Sequence, residues 1–117
     1  MLRLLRISNY ALIDNVEIEF ERGFNVITGE TGAGKSIILG ALSLLQGGRA
    51  DSRTVADPNR KSVIEAEFEL AGEGDHSLLS DYCRTNDIDW DGERVLLRRE
   101  IAASRGRSRA FVNDSPV

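Results

Sequence analysis

Only one cysteine, Cys83, occurs in the 117 residues, so no internal disulfide can form, and a reducing, cytosolic setting with a half-buried core thiol is expected. Long apolar runs are missing as well. Nothing approaches the ~20 residues of a membrane-spanning helix, and Met1-Leu2-Arg3-Leu4-Leu5-Arg6 meets charge too early for a signal peptide. Positive charge is scarce: 15 Lys and Arg against 19 Asp and Glu give a net charge of -4 and a pI near 5.0. A stand-alone nucleic-acid binder usually carries a strongly basic domain, so any nucleic-acid contact must be local or supplied elsewhere. The single histidine, His76, has no cysteine or second histidine at ligand spacing and reads as a solvated loop residue, not a metal ligand. The single tryptophan, Trp90, lies among Asp87, Asp89 and Asp91, where phosphate is repelled, so packing is expected there and base stacking is not. Internal repeats and low-complexity tracts are absent. What remains is a soluble chain of about one small domain, with an apolar fraction able to build a core.

The elements that are present follow a recognisable order. Leu2 to Ile7 and Asn15 to Phe20 read as two strands, the second alternating Val16, Ile18 and Phe20 with Glu17 and Glu19. Phe24 to Thr28 is a short apolar strand running into a glycine-rich stretch. Lys35 to Gln46 then has apolar residues at helical spacing, with Gly47-Gly48 as its stop. Residues 49–62 show no apolar period and read as a surface loop. Val63 to Leu70 alternates Ile64, Ala66, Phe68 and Leu70 with Glu65, Glu67 and Glu69, a half-exposed strand whose glutamates form a solvated face. Leu78, Leu79 and Tyr82 have helical spacing. Val95 to Ile101 and Arg107 to Val112 read as two further strands.

The stretch between the short strand and the helix carries the chemistry. Gly29-Glu30-Thr31-Gly32-Ala33-Gly34-Lys35-Ser36 fits the phosphate-binding pattern G-x-x-x-x-G-K-(S/T). Such a loop works because its successive backbone N–H groups, together with the N-terminus of the following helix, converge on phosphate oxygens. Gly29, Gly32 and Gly34 lack Cβ atoms and let phosphate approach closely. Lys35 is expected to reach the β- and γ-phosphates of a nucleoside triphosphate, and the Ser36 hydroxyl to ligate the magnesium ion that bridges them. By average residue usage the four fixed positions coincide in roughly one chain of this size in a few hundred, and the flanking strand and helix make chance rarer still.

Between Arg94 and Arg109 lies the one basic patch, comprising Arg94, Arg98, Arg99, Arg105, Arg107 and Arg109. Two readings stay open here. The arginines balance neighbouring acids, or strand alternation gathers several on one face that contacts phosphate or DNA.

The stretch Leu4 to Ile13, the segment from Ile18 through the glycine-rich loop, Leu45-Gln46-Gly47-Gly48-Arg49-Ala50, the strand Val63 to Leu70, and Gly106-Arg107-Ser108-Arg109-Ala110-Phe111-Val112-Asn113 together resemble the amino-terminal head segment of the RecN family. RecN proteins are bacterial DNA double-strand-break repair ATPases related to structural maintenance of chromosomes (SMC) proteins. The Glu30-Thr31-Gly32-Ala33 form of the loop and Asn9-Tyr10-Ala11-Leu12-Ile13 favour RecN over its SMC relatives. The resemblance implies an α/β P-loop NTPase fold: an ABC/SMC-type head half-domain over residues 1–117, with a mixed and antiparallel sheet around the P-loop helix. It implies that a coiled coil and a carboxy-terminal half lie outside this chain, because no Leu-Ser-Gly-Gly signature, Walker B acids, later Gln loop or heptads occur in it. Expected partners are that half, a second head in a homodimer and, in the intact protein, DNA through Arg94, Arg98, Arg105, Arg107 and Arg109. The expected location is cytoplasmic and nucleoid-associated. By the same resemblance, Arg49 or Arg53 acts across the head dimer, and Asn9 to Ala11 approach the nucleotide base or ribose. Three alternatives are another SMC-family head, a self-contained P-loop kinase or GTPase, and a non-catalytic module using the arginine patch. The kinase or GTPase needs its own magnesium-positioning acid after a buried strand, which the alternating acids of Ile64 to Phe68 do not supply.

Overall fold

The computed structural model describes residues 2–20, 32–70, 76–103 and 107–117, with the backbone alone at 32–35 and 52. The strand expected at Phe24 to Thr28, the loop residues Gly29 to Thr31, and Arg105 lie outside the described residues. The elements in chain order are β1 (Leu2–Tyr10), β2 (Ile13–Glu19), α1 (Gly32–Leu45), a short 3-10 turn (Ser52–Thr54), β3 (Ser62–Glu69), α2 (Ser77–Thr85), β4 (Arg94–Ile101), β5 (Ser108–Val112) and β6 (Ser115–Pro116). The six strands form one sheet in the order β2-β1-β3-β4-β5-β6, and every described pairing is antiparallel.

Alternation sorts each strand's side chains between two faces. Leu5 and Ile7 of β1, Ile64 and Ala66 of β3, and Ile101 of β4 point to one face and are buried in a single core with Ala41 and Leu44 of α1. The P-loop helix therefore lies across the sheet. On the opposite face, the β3 glutamates are not simply solvated as their alternation suggested. Register sets Arg6 opposite Glu65 and Arg94 opposite Glu69. Glu65 lies 3.9 Å from Arg6, Glu67 3.4 Å from Arg94 and Glu69 3.3 Å from Arg3. Each such exposed pair contributes about 0–1 kcal/mol, so the ladder specifies register more than it stabilises.

Several elements exceed or shift their sequence expectation. β1 continues to Tyr10, and the helix starts at Gly32, inside the glycine-rich motif. The 49–62 loop contains the 3-10 turn and a β-bridge from Val55 to Tyr10, with Val55 buried. β6 was not expected. It forms because Asn113 and Asp114 adopt φ of 48° and 65°, the positive values of a two-residue hairpin turn, which brings Ser115 opposite Val112. His76 is not a free loop residue: it precedes α2, and its Nε2 lies 3.0 Å from the Leu70 carbonyl. Cys83 is more deeply buried than the half-buried position expected of it, while Trp90 is half-buried, as a packing role requires.

Candidate nucleotide-binding site

α1 is a 14-residue helix whose first described turn begins at Gly32 and contains no acidic residue. The first N–H groups of any helix lack intrahelical partners and carry the positive end of its dipole, so this end favours an anion. Of the motif, Gly32, Ala33, Gly34 and Lys35 lie in this turn by their backbone, and Ser36 follows with an exposed side chain. Gly29, Glu30 and Thr31 lie outside the described residues. The donor set suits a magnesium-bound polyphosphate: a primary ammonium, a hydroxyl and backbone amides, with no carboxylate in the helix turn to oppose the anion.

The far end of α1 is fixed twice. Gly47, at φ 97°, donates to the Leu44 carbonyl at 3.2 Å, and Gly48 donates to the Ser43 carbonyl at 2.9 Å. These are the paired bonds of a Schellman stop, which glycine suits because it accepts the left-handed conformation. Arg99, from the core side of β4, then donates through Nη1 to the Leu44 carbonyl at 2.9 Å and the Gly48 carbonyl at 3.0 Å, while its Nε meets Ser108. A cation at a helix C-terminus faces the negative end of the dipole. Arg99 thus serves the helix and is withdrawn from the basic patch in which its sequence position had grouped it.

The remaining arginines do not form one free face. Arg94 and Arg98 share the open face of β4 and are already paired: Arg94 with Glu67, and Arg98 with Asp114 at 2.6 Å and Glu100 at 3.2 Å, its guanidinium 4.3 Å from the centre of the Phe111 ring. Arg107 and Arg109 are exposed.

Beside the helix, the end of β1 organises the 49–61 segment. Tyr10 is buried, which pushes its phenol up, and its hydroxyl comes so close to α1 that a Cβ on Gly40 would sit 3.0 Å from it. The neighbouring Asn9 is 1% exposed at φ 55°. Its Oδ1 accepts from the Asp57 N–H at 2.7 Å, and its Nδ2 donates to the carbonyls of Asp57 and Arg60, each at 2.9 Å. Arg49 is exposed and has no ion-pair partner among the described residues. Arg53 is held by Asp51 through Nη2 to Oδ2 at 2.9 Å, and this hydrogen bond holds the Asp51 carboxyl below the usual range and raises the arginine. Sequence reasoning missed the tasks of Asn9 and Arg99. An asparagine between a strand and a tight turn is the one local signal that pointed to the first.

The sequence matches the family model described as AAA domain over residues 4–110. It is similar to the DNA repair protein RecN of Bacillus subtilis, 45% identical over 117 residues, and to that of Vibrio cholerae, 41% identical over 117 residues. Each alignment takes in 100% of this chain and 20% of the relative, so the chain spans about a fifth of their length. The expected resemblance to the RecN head segment is borne out. Among solved structures, one described as the recombination mediator protein RecF-ATPrS in the RecFOR pathway superposes with a TM-score of 0.68 at 17% identity, covering 100% of this chain and 28% of that one. That likeness carries the fold, a P-loop NTPase of the α/β class.

Proposed function

This chain belongs to the AAA domain family, and on that premise we propose that it is the ATP-binding half-head of a RecN-like DNA double-strand-break repair ATPase. The observation that carries the proposal is the start of α1 inside the G-x-x-x-x-G-K-S motif, with an acid-free first turn beside Lys35 and Ser36. Gly29 to Ser36 hold the phosphates, Lys35 neutralises the β- and γ-oxygens, and Ser36 supplies one ligand to magnesium. When bound, magnesium supplies charge neutralisation between the phosphates. Hydrolysis requires an acid to complete the metal site and a group to orient water, and both belong to the carboxy-terminal half. The β3 glutamates are poor substitutes, since each is already paired with an arginine on the face away from α1. The working assembly is a cytoplasmic, nucleoid-associated head homodimer. Arg53, exposed and oriented by Asp51, is the better candidate to act on the opposing nucleotide, with Arg49 the alternative. Asn9 is assigned no side-chain contact to base or ribose, because it is buried and both its N–H donors are taken by the carbonyls of Asp57 and Arg60. DNA contact in the intact protein rests on Arg107 and Arg109, with Arg94, Arg98 and Arg105 secondary.

The test is isothermal titration of the chain with magnesium and ATP, run beside steady-state phosphate release. The chain is expected to bind ATP without turning it over, Lys35→Ala to lose binding, and turnover to return on mixing with the carboxy-terminal half. Each missing catalytic element costs on the order of a hundredfold in rate, so activity alone stays near background. Robust turnover by the chain, absent in Lys35→Ala, would instead establish a self-contained kinase or GTPase site.

A further inference from the structure

A buried amide that spends both its donors and an acceptor bond on one backbone segment fixes where that segment sits. Asn9 does this for residues 57–61. Its two N–H donors are engaged by the carbonyls of Asp57 and Arg60, each at 2.9 Å, with that of Lys61 at 3.4 Å, and its Oδ1 accepts from Asp57 at 2.7 Å. The main chain adds the Ala56 N–H to the Asn9 carbonyl at 3.3 Å and the Ala11 N–H to the Thr54 carbonyl at 2.6 Å. No other residue type meets both demands of the position. Aspartate would turn a second oxygen toward carbonyls, glutamine is one methylene too long, and most L-residues resist φ of 55°, which asparagine tolerates.

The 3-10 turn that bears Arg53, Ser52–Thr54, directly precedes this segment, with its Thr54 carbonyl tied to the Ala11 N–H, and the next residue along β1, Tyr10, abuts α1 at Gly40. A short path of contacts therefore runs from the P-loop helix through Tyr10 and Asn9 to residues 56–61, which directly follow the turn that bears Arg53. Arg60 reinforces it from outside through Asp14 at 3.0 Å and Asp57 at 3.3 Å. We propose that Asn9 is the positioning residue for Arg53: by latching residues 56–61, which directly follow the arginine's turn, to the end of β1, it sets the arginine's place relative to the P-loop helix and hence to the nucleotide of a second head. This rests on the head reading above.

A double-mutant cycle in the intact protein, joined with its carboxy-terminal half, separates positioning from general destabilisation. The variants are Asn9→Ala, Arg53→Ala and the pair, with Asn9→Gly, which accepts the positive φ and buries no charge, standing in if Asn9→Ala fails to fold. Expected is a fall in kcat of about tenfold or more for Asn9→Ala, with KM for ATP within about twofold, and no further loss when Arg53→Ala is added. Losses that multiply, or a KM that rises with the fall in kcat, would overturn the proposal. Amide exchange provides the second measurement: the Asp57 N–H should lose protection in Asn9→Ala while the core amides of β3 keep theirs. If Arg53→Ala leaves kcat unchanged, the trans-acting arginine is the reading that falls, and unchanged Asp57 protection would then overturn the latch itself.

Discussion

Replacing Arg99 by methionine keeps the stem that packs beneath the sheet and removes the guanidinium that holds the end of α1. Three charge-assisted bonds are lost, at 2.9 Å to the Leu44 carbonyl, at 3.0 Å to the Gly48 carbonyl, and from Nε to the Ser108 hydroxyl. Hydrogen bonds to charged groups contribute about 1.5–3 kcal/mol each. The low end applies here, because water can reach part of a helix terminus and the Schellman bonds remain. The favourable dipole contact adds a few tenths, and the freed side chain regains some entropy. The net expectation is a destabilisation of about 2–3 kcal/mol, which for a domain of this size lowers Tm by about 8–15 °C. Thermal unfolding followed by circular dichroism measures it. Amide exchange at Gln46 to Gly48 should accelerate in parallel, and Arg109→Ala, an exposed arginine on the other face, should stay within about 0.5 kcal/mol of the parent. A Tm shift below about 3 °C for Arg99→Met would show that the terminus is held by its glycines alone.

Arg107→Ala combined with Arg109→Ala should weaken DNA binding by the intact protein and flatten its salt dependence by about one to two units of log-log slope, measured by fluorescence anisotropy across salt concentrations; an unchanged slope would assign the pair to charge balance. Acid should destabilise the chain in a defined window. Backbone N–H groups hold the carboxyls of Asp57 and Asp91 below their usual range, and the Arg53 hydrogen bond does the same for Asp51. Their stabilisation is therefore present above the unfolded value near ~3.9 and lost as pH falls through the lower folded values, so urea midpoints should hold steady from about pH 7 to 5 and fall below about 4. Asp91→Asn should reduce that fall, and an acid limb as steep as the parent's would count against the Asp91 contribution.

Much of this architecture could be read from period and punctuation. The β3 alternation, the apolar stripe of α1 and the Gly47-Gly48 stop each have one local cause, and the structure follows them closely. The 49–62 segment failed that test because Val55 is a lone apolar residue. Its burial depends on a bridge to Tyr10, 45 positions earlier in the chain, which no window along the sequence can contain. For the arginine patch two readings stayed open, and the acid partners of Arg94 and Arg98 match charge balance. Composition groups Arg98 with Arg99, but adjacent residues on a strand face opposite ways, so one joins the paired open face and the other the helix terminus. The Asn113-Asp114 turn was legible in principle, as two left-handed-tolerant residues between strand formers, and β6 follows from it.

The order β2-β1-β3-β4-β5-β6 also sets how local each pairing is. β1 with β2, and β3 through β6, are built from neighbours in the chain, whereas the β1–β3 seam joins residues such as Leu5 and Ala66. Closing a loop on the order of 40 residues costs about 3 kcal/mol of chain entropy before that seam returns any of it. The segment spanned by this closure holds the phosphate-binding loop and α1. Assembly of the proposed nucleotide site is thus tied to the most non-local pairing among the described strands, so a ligand that binds the finished loop is expected to slow unfolding through this seam.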